Sequence, residues 1–355
     1  MINKLKLTNL SALLVVVFMI AATVVFILFA KPYLDGESDV RWAADSADYI
    51  LYFQVYGLDQ TLIQLGQNLF GPLVFLWLVD GSHNGIFIIN IVIYVIGWLV
   101  ITKNIEVNKL VLFLGLAANP MFFVSLLAVN KEIIAFLVIS FYSVYLLRGG
   151  LRWLVLALIS AFFVRWQNVL VIMLFEFTLL SINPFRNRRW LFVAIVLLLL
   201  SLLYPLLDAQ LGGVTTEQVT EQQTNTTFGI LDVINDIQRN YGYFLVVIPK
   251  VFSNWFGNLP RVASLFYSLD EFDLSDVYNT FVITGHQAAM AIVFLLLAFK
   301  RKFKISNNLI YFSIFYSIIY SLGVFIQYRY YFPVYILFVL VLAQKSATQK
   351  QSSIV

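Results

Sequence analysis

Acidic residues cluster in and just before the segment GESDVRWAADSADY at positions 36–49. A positioned carboxylate can accept the proton of a reacting hydroxyl group, and several carboxylates together can ligate a divalent cation. Asp45 and Asp48 are three positions apart, so a helix would carry them on one face. The pattern predicts Asp39, Asp45 and Asp48 as candidate catalytic residues and leaves metal dependence open. The alternative interpretation is that these acids solvate a surface loop.

Basic residues also occur within apolar segments further along the chain. Lys131 lies in AVNKEII, Arg165 in FFVRWQN and Arg329 in QYRYYFP. Ionisable residues in such surroundings are functional candidates, and both Arg and Lys bind phosphate groups. The predicted phosphate-binding residues are Lys131, Arg165, Arg329, Lys250 and His286. Snorkelling to lipid headgroups, internal ion pairs and, for His286, a structural role are the alternatives.

The composition indicates an integral membrane protein. Apolar residues make up 61% of the 355 positions and charged residues 12%. Several continuously apolar runs approach the roughly 20 residues that cross a hydrocarbon core as a helix. The chain has no cysteine, which excludes disulfides and thiolate chemistry. The pI near 9.0 follows from charges that anchor spans, so nucleic acid is not an expected partner.

The apolar runs predict an all-α bundle of about ten transmembrane helices in a single membrane domain, 1–355. The predicted spans are 11–30, 86–102, 110–128, 132–147, two short helices within 153–181, 190–206, 281–299, 308–326 and 333–344. The two short helices are predicted to meet in a turn at Arg165–Asn168, because both ends of that segment carry basic clusters.

Charge distribution predicts the orientation of the bundle. Fifteen of the 23 Lys and Arg residues fall into short gaps that can share one side. They are Lys4, Lys6, Lys103, Lys109, Arg148, Arg152, Arg186, Arg188, Arg189, Lys300, Arg301, Lys302, Lys304, Lys345 and Lys350. The positive-inside rule makes that side cytoplasmic, with both termini.

Two large segments then lie outside. The first outer segment, 31–85, carries the acidic cluster and a leucine stripe from Leu58 to Leu69 that predicts an amphipathic helix on the membrane face. The second outer segment, 207–280, begins as a polar loop. Its stretch 243–268 is broken by Pro249, Lys250 and Pro260, and the sequence leaves open whether it forms a span.

This layout resembles the GT-C superfamily of membrane glycosyltransferases, which use sugars linked to a polyprenyl phosphate. The resemblance covers the arrangement of most of the chain, and at residue level it rests on GESDVRWAADSADY. Members often carry an Asp-Glu or Asp-x-Asp pair soon after the first span, whereas this chain has Glu37-Ser38-Asp39 and Asp45-Ser46-Ala47-Asp48. The resemblance implies a bacterial inner-membrane enzyme, and some related enzymes use a divalent metal ion.

The implied reaction is inverting sugar transfer from a polyprenyl-phosphate-linked donor to a glycan or lipid-linked acceptor of the cell envelope, such as an O-antigen or teichoic acid. A first-segment Asp would act as base, and Lys131, Arg165 and Arg329 would hold the lipid phosphate. An oligosaccharide-repeat polymerase is the alternative enzyme, because it also uses a lipid-phosphate leaving group and a large outer loop. The segment 207–280 could provide that loop. A non-enzymatic flippase or transporter is the third class, disfavoured because Glu176 is the main ionisable residue within a predicted span.

Overall fold

The computed structural model describes residues 2–42, 45–58, 69–203, 234, 237–238, 242–257, 281–323 and 328–345. Regular structure within these ranges is helical, apart from one isolated bridge between Val107 and Gln344. The helices are α1 (Ile2–Val25), α2 (Ser46–Tyr56), α3 (Phe70–Leu78), α4 (His83–Asn104), α5 (Lys109–Ala117), α6 (Pro120–Leu127), α7 (Glu132–Arg148), α8 (Leu151–Val164), α9 (Trp166–Leu179), α10 (Arg189–Leu203), α11 (Tyr243–Phe256), α12 (Ile283–Phe299), α13 (Asn308–Tyr320) and α14 (Phe332–Ala343). A π-helical turn, Phe26–Ala30, and a short helix, Lys31–Leu34, continue α1.

Two helical stretches are long and apolar enough to cross a membrane, Leu10–Leu34 and His83–Asn104. They contain the predicted spans 11–30 and 86–102. Helices α5 and α6 together would make a third, but their axes are bent by 76°. The chain is therefore helical with two clear candidate spans in its described part, and the predicted ten crossings are not confirmed.

Two helix breaks test the predicted span boundaries. The predicted turn near Arg165 is confirmed, although it is confined to Arg165, whose extended backbone separates α8 from α9. The predicted span at 110–128 is not a single helix, because it is divided into α5 and α6. Asn119 caps α6 by accepting a hydrogen bond from the Met121 backbone N–H at 3.0 Å, and Pro120 occupies the first turn. An Asn cap followed by proline starts a new helix.

The two segments that the sequence predicts to lie outside the membrane, 31–85 and 207–280, are described in part. The predicted amphipathic helix at 58–69 falls almost wholly in 59–68, outside the described residues, as does most of 207–280. Within the second outer segment, Tyr243–Phe256 is helical despite Pro249.

Helix α14 forms the centre of the described bundle. Every residue from Phe332 to Ala343 is buried, and the helix packs against α5, α7, α12 and α13. A helix that is apolar on all sides is stable when other helices or lipid surround it, and here neighbouring helices cover every residue. At its C-terminal end the Lys302 ammonium donates to the carbonyls of Leu342 and Gln344, at 2.9 and 2.7 Å. Its N-terminal end continues from a 3₁₀ turn, Tyr328–Tyr331.

Gly71 provides a test of the packing near the α8–α9 break. A Cβ at this position would lie 1.8 Å from the backbone carbonyl oxygen of Phe163. We expect Gly71→Ala to lower the free energy of unfolding by about 1–3 kcal/mol, because backbone must move to accept the methyl group. Leu78→Ala, on the same helix at a position 58% exposed, is the control. Equal thermal unfolding of the two variants in detergent would contradict this contact.

Candidate functional site

Three of the predicted phosphate-binding residues, Lys131, Arg165 and Arg329, line one cleft beside the N-terminal end of α14. They come from three separate parts of the chain: the α6–α7 connection, the α8–α9 break and the turn before α14. The remaining lining residues are Glu132, Ala135, Val164, Asn168, Tyr316, Tyr320, Tyr330, Phe332 and Pro333. The sequence prediction that outer cations converge therefore agrees with the geometry.

Asp45 joins this cluster through an ion pair. Arg329 Nη1 lies 2.5 Å from Asp45 Oδ2, and the Tyr49 hydroxyl donates to the same oxygen at 3.2 Å. Asp45 has a left-handed backbone, φ 55°, which short polar side chains such as Asp adopt more readily than most. Its side chain does not cap α2, so the carboxylate is directed to the cluster.

The prediction that Asp45 and Asp48 share a helix face is wrong. Asp45 precedes α2 with a left-handed backbone, and Asp48 lies in the first turn of the helix with an exposed side chain. Asp39, which lies in a non-helical stretch, is also exposed. Of the three predicted catalytic residues, the structure brings only Asp45 to the cations.

Buried amides fix the connection that carries Lys131. The Asn90 amide donates to the carbonyls of Leu126 and Ala128 at 3.1 and 2.9 Å. The Asn130 side chain accepts from the Glu132 backbone N–H at 3.0 Å and so caps α7. These bonds determine where α7 begins and therefore where Lys131 emerges.

A further bond links this connection to the acidic segment. The Ser46 hydroxyl donates to the Val129 carbonyl at 2.8 Å, and neither Ser46 nor Lys131 is more than 9% exposed. Lys131 Nζ lies 5.5 Å from the centre of the Tyr49 ring, within the range of a cation–π contact. Burial, and then the positive charge of Arg165, lower the pKa of Lys131 to about 7.

Arg165 is presented by the break between α8 and α9. Its guanidinium carbon lies 3.7 Å from the centre of the Tyr330 ring, and that of Arg329 lies 5.6 Å from the same ring. Arg stacks well on aromatic faces because it is planar and weakly hydrated. Tyr330 therefore holds two guanidinium groups near each other, which costs electrostatic repulsion unless an anion is close.

The cluster has more cationic side chains than carboxylates. Lys131, Arg165 and Arg329 face Asp45 and Glu132. The cleft itself has a volume of about 30 Å³, which is room for roughly one water molecule. A phosphate group could bind only if Arg329 or Lys131 moved aside. The arrangement can thus hold an anion and present a carboxylate beside it, provided that the ion pair opens.

The other two predicted phosphate ligands do not line the cleft. Lys250 is 1% exposed and donates to the side-chain oxygen of Gln238 and, at 2.9 Å, to the Gly323 carbonyl. His286 is also 1% exposed, and its Nδ1 lies 2.9 Å from the Asn119 amide nitrogen.

His286 nevertheless has a connection to the site. Besides Asn119, it forms a hydrogen bond with the Tyr328 backbone, in the turn that carries Arg329. Because Asn119 donates to Nδ1, the other ring nitrogen carries the proton. His286 thus links α6 and α12 to the turn Tyr328–Tyr331, and the structure supports the structural alternative for it.

Several cluster residues were not selected as site residues from the sequence. From the sequence, Tyr49 and Tyr330 are aromatic residues that could stack on a sugar face, with packing as the favoured alternative. Asn168 accepts a hydrogen bond from the Tyr320 hydroxyl, and these two residues come from α9 and the end of α13. Nothing in the spacing of positions so far apart indicates that they meet.

Metal binding was left open by the sequence. Within the described ranges, no group of three or more His, Asp or Glu side chains is arranged to hold a metal ion.

Comparison of the chain with protein-family models, with curated proteins and with solved structures finds no match.

The ionisation of Lys131 can be tested by its reactivity. Only a neutral amine attacks acetic anhydride, so acetylation of Lys131 should rise as the pH increases through about 7. Below that pH the side chain is charged and should react slowly. In the chain denatured with SDS, the same lysine should react with a midpoint near the ordinary value of roughly 10.4. Peptide mass spectrometry measures both profiles, and coincident profiles would contradict the buried environment.

Proposed function

We propose that this protein is a glycosyltransferase that takes a sugar from a polyprenyl-phosphate-linked donor on the outer face of a bacterial inner membrane. The acceptor is an envelope glycan or a lipid-linked saccharide. The observation that carries the proposal is the meeting of Lys131, Arg165 and Arg329 in a single cleft. The carboxylate of Asp45 forms an ion pair with Arg329 beside it. Sugar transfer from a lipid phosphate needs both a base and cations beside the leaving group.

The charge distribution along α14 supports the orientation. Arg329 precedes the N-terminal end of this helix, and Lys302 binds the carbonyls at the opposite end. Lys302 belongs to the basic cluster that the positive-inside rule assigns to the cytoplasm. The cleft would then face outwards. In this proposal the shorter apolar helices also cross or enter the membrane, giving a multi-pass protein with both termini cytoplasmic.

In the proposed reaction the acceptor hydroxyl oxygen attacks the anomeric carbon from the side opposite the phosphate. The bond between that carbon and the phosphate oxygen breaks, and the polyprenyl phosphate leaves with the electron pair. Asp45 takes the hydroxyl proton. Arg165, Arg329 and Lys131 neutralise the charge that develops on the departing phosphate. The configuration at the anomeric carbon is inverted.

Arg329 has a double role in this scheme. It pairs with Asp45 in the structure, and the cleft has room for about one water molecule. An arriving phosphate would draw Arg329 away from Asp45, because a guanidinium binds phosphate bidentately. The carboxylate would then be free to act as base.

The two alternatives differ in what they require. A repeat polymerase would use residues 207–280, most of which lie outside the described ranges, to hold a second lipid-linked chain. A transporter would need ionisable groups along a path through the bundle. Of the residues described, Glu176 is held by the hydroxyls of Tyr142 and Tyr145, at 2.6 and 2.8 Å, which is typical of a structural carboxylate.

The role of Asp45 leads to the first functional test. In cells lacking this gene, an Asp45→Asn variant should fail to restore the missing envelope sugar, with transfer reduced by roughly a hundredfold or more, as expected on removal of a general base. Asp48→Asn is the matched control, because Asp48 is exposed on the same segment. Glycan profiles and mass spectrometry of accumulated lipid-linked intermediates measure the outcome.

Full activity of Asp45→Asn, at normal protein abundance, would overturn the mechanism. Loss of long chains with single repeats still attached would instead favour the polymerase.

The role of Arg165 leads to a binding test. Arg165→Ala should weaken the binding of polyprenyl phosphate by about tenfold or more, because a charge-assisted hydrogen bond is lost. Arg152→Ala is the control, because Arg152 lies on α8, the helix that Arg165 directly follows. Its guanidinium carbon also lies over an aromatic ring, 4.9 Å from the centre of Trp153. Native mass spectrometry of the full chain can measure both affinities. Equal affinities for the two variants would remove Arg165 from the phosphate site.

A further inference from the structure

A second and larger cavity lies beside the cation cleft. Its volume is about 310 Å³, at the lower end of the range for small-ligand pockets. It shares Tyr320 and Tyr330 with the cleft. The lining residues are Gln167, Val171, Ile319, Tyr320, Gly323, Tyr330 and Tyr331. Tyrosine is the only ionisable residue type among the lining residues that the structure describes, so this part of the cavity suits a neutral ligand.

Two of the lining tyrosines have their hydroxyl groups engaged within the protein, so they contribute mainly ring carbon atoms to the cavity wall. The Tyr320 hydroxyl donates to Asn168 Oδ1, and the Tyr331 hydroxyl lies 2.7 Å from Ser321 Oγ. The Tyr320 and Tyr330 rings meet edge to face, with centroids 5.9 Å apart. These contacts fix the ring orientations. The electron-rich face of an aromatic ring attracts weakly positive C–H groups, which one face of a sugar ring supplies.

Gln167 adds a polar group without a partner. Its side-chain oxygen is enclosed and has no hydrogen-bond partner among the described residues. A buried acceptor left unpaired is costly, and a bound water or ligand can supply the donor. The terminal amide of a glutamine turns readily about its last torsion. A ligand hydroxyl in the cavity could therefore donate to it.

We infer that this cavity holds the sugar ring of the donor, and that the sugar is neutral. The inference rests on the proposed function, because it needs the phosphate of the same donor to lie in the adjoining cation cleft. In a polyprenyl-phosphate sugar the ring and the phosphate are directly bonded, so two adjoining subsites match the donor. The first isoprene units of the lipid would also suit tyrosine faces, but they would leave the Gln167 oxygen unpaired.

The test fills the cavity without touching a cation. Val171→Phe adds a ring at a lining position that is 3% exposed. Leu170→Phe adds the same ring at the next position, which is 49% exposed and does not line the cavity. The probes are polyprenyl phosphate alone and polyprenyl phosphate carrying glucose, galactose, mannose or N-acetylglucosamine, each measured with the full chain in nanodiscs.

We expect the unchanged protein to bind at least one sugar-bearing lipid more tightly than the bare lipid phosphate. Val171→Phe should weaken the binding of the sugar-bearing lipid about tenfold, equivalent to roughly 1.4 kcal/mol. The affinity for the bare lipid phosphate should stay the same. Leu170→Phe should change neither. Gln167→Ala, which adds no bulk, should weaken the binding of the sugar-bearing lipid only. This variant provides the test if Val171→Phe does not fold.

Each other outcome contradicts the inference in a distinguishable way. Equal losses for bare and sugar-bearing lipids in Val171→Phe would mean that the isoprene chain fills the cavity. No loss in a folded Val171→Phe protein, or in Gln167→Ala, would mean that the cavity is a packing void. Failure of the unchanged protein to bind any polyprenyl phosphate would overturn the proposed function, and the sugar site with it.

Discussion

The ion pair between Asp45 and Arg329 joins residues 284 positions apart, and the geometry of the cleft depends on it. Both side chains are about a quarter exposed, at 28% and 23%, so the pair is only partly screened by solvent. Without the carboxylate, Arg329 and Arg165 would approach the same tyrosine ring with less compensation for their repulsion. Asp45 thus allows the guanidinium groups to share one small volume.

The ion pair has a defined position because the backbone is fixed at both Asp45 and Arg329. Arg329 lies in a turn that continues into α14, a helix buried on every side. Asp45 directly precedes Ser46, whose hydroxyl binds the α6–α7 connection beside Lys131. Buried amides of Asn90 and Asn130 hold that connection in turn. Apolar packing therefore positions the helices, and a few buried polar groups that hydrogen-bond to the backbone determine where the charged side chains emerge.

The sequence indicated three cations that line one cleft more clearly than it indicated where the helices begin and end. Ionisable residues in apolar surroundings are costly, which is why Lys131, Arg165 and Arg329 could be selected without a structure. The same argument selected Lys250 and His286, which instead bind internal polar groups. Burial alone does not distinguish a ligand-binding charge from one that is satisfied internally, because that depends on partners distant in sequence.

The errors in the helices have local physical causes. Asn119 followed by Pro120 is a start signal for a helix, and mean hydropathy over 110–128 conceals it because both residues lie in an apolar run. Helical spacing suggested a shared face for Asp45 and Asp48, whereas a left-handed backbone at Asp45 places it outside the helix. The ten predicted crossings are not confirmed for a related reason: several apolar helices here have 10–17 residues, and composition alone does not show where they end.

In the proposed reaction, Arg329 leaves its ion pair with Asp45 and binds the donor phosphate instead. A free carboxylate beside a cleft at the membrane surface could activate water and so hydrolyse a reactive donor. In the observed state Asp45 is occupied by Arg329 and Tyr49. If phosphate is what draws Arg329 away, the base becomes available only when the donor is bound, and binding energy at the phosphate contributes to catalysis at the anomeric carbon. Lys131, with a pKa lowered to about 7, would gain a proton as the phosphate arrives and add a charge where it is needed.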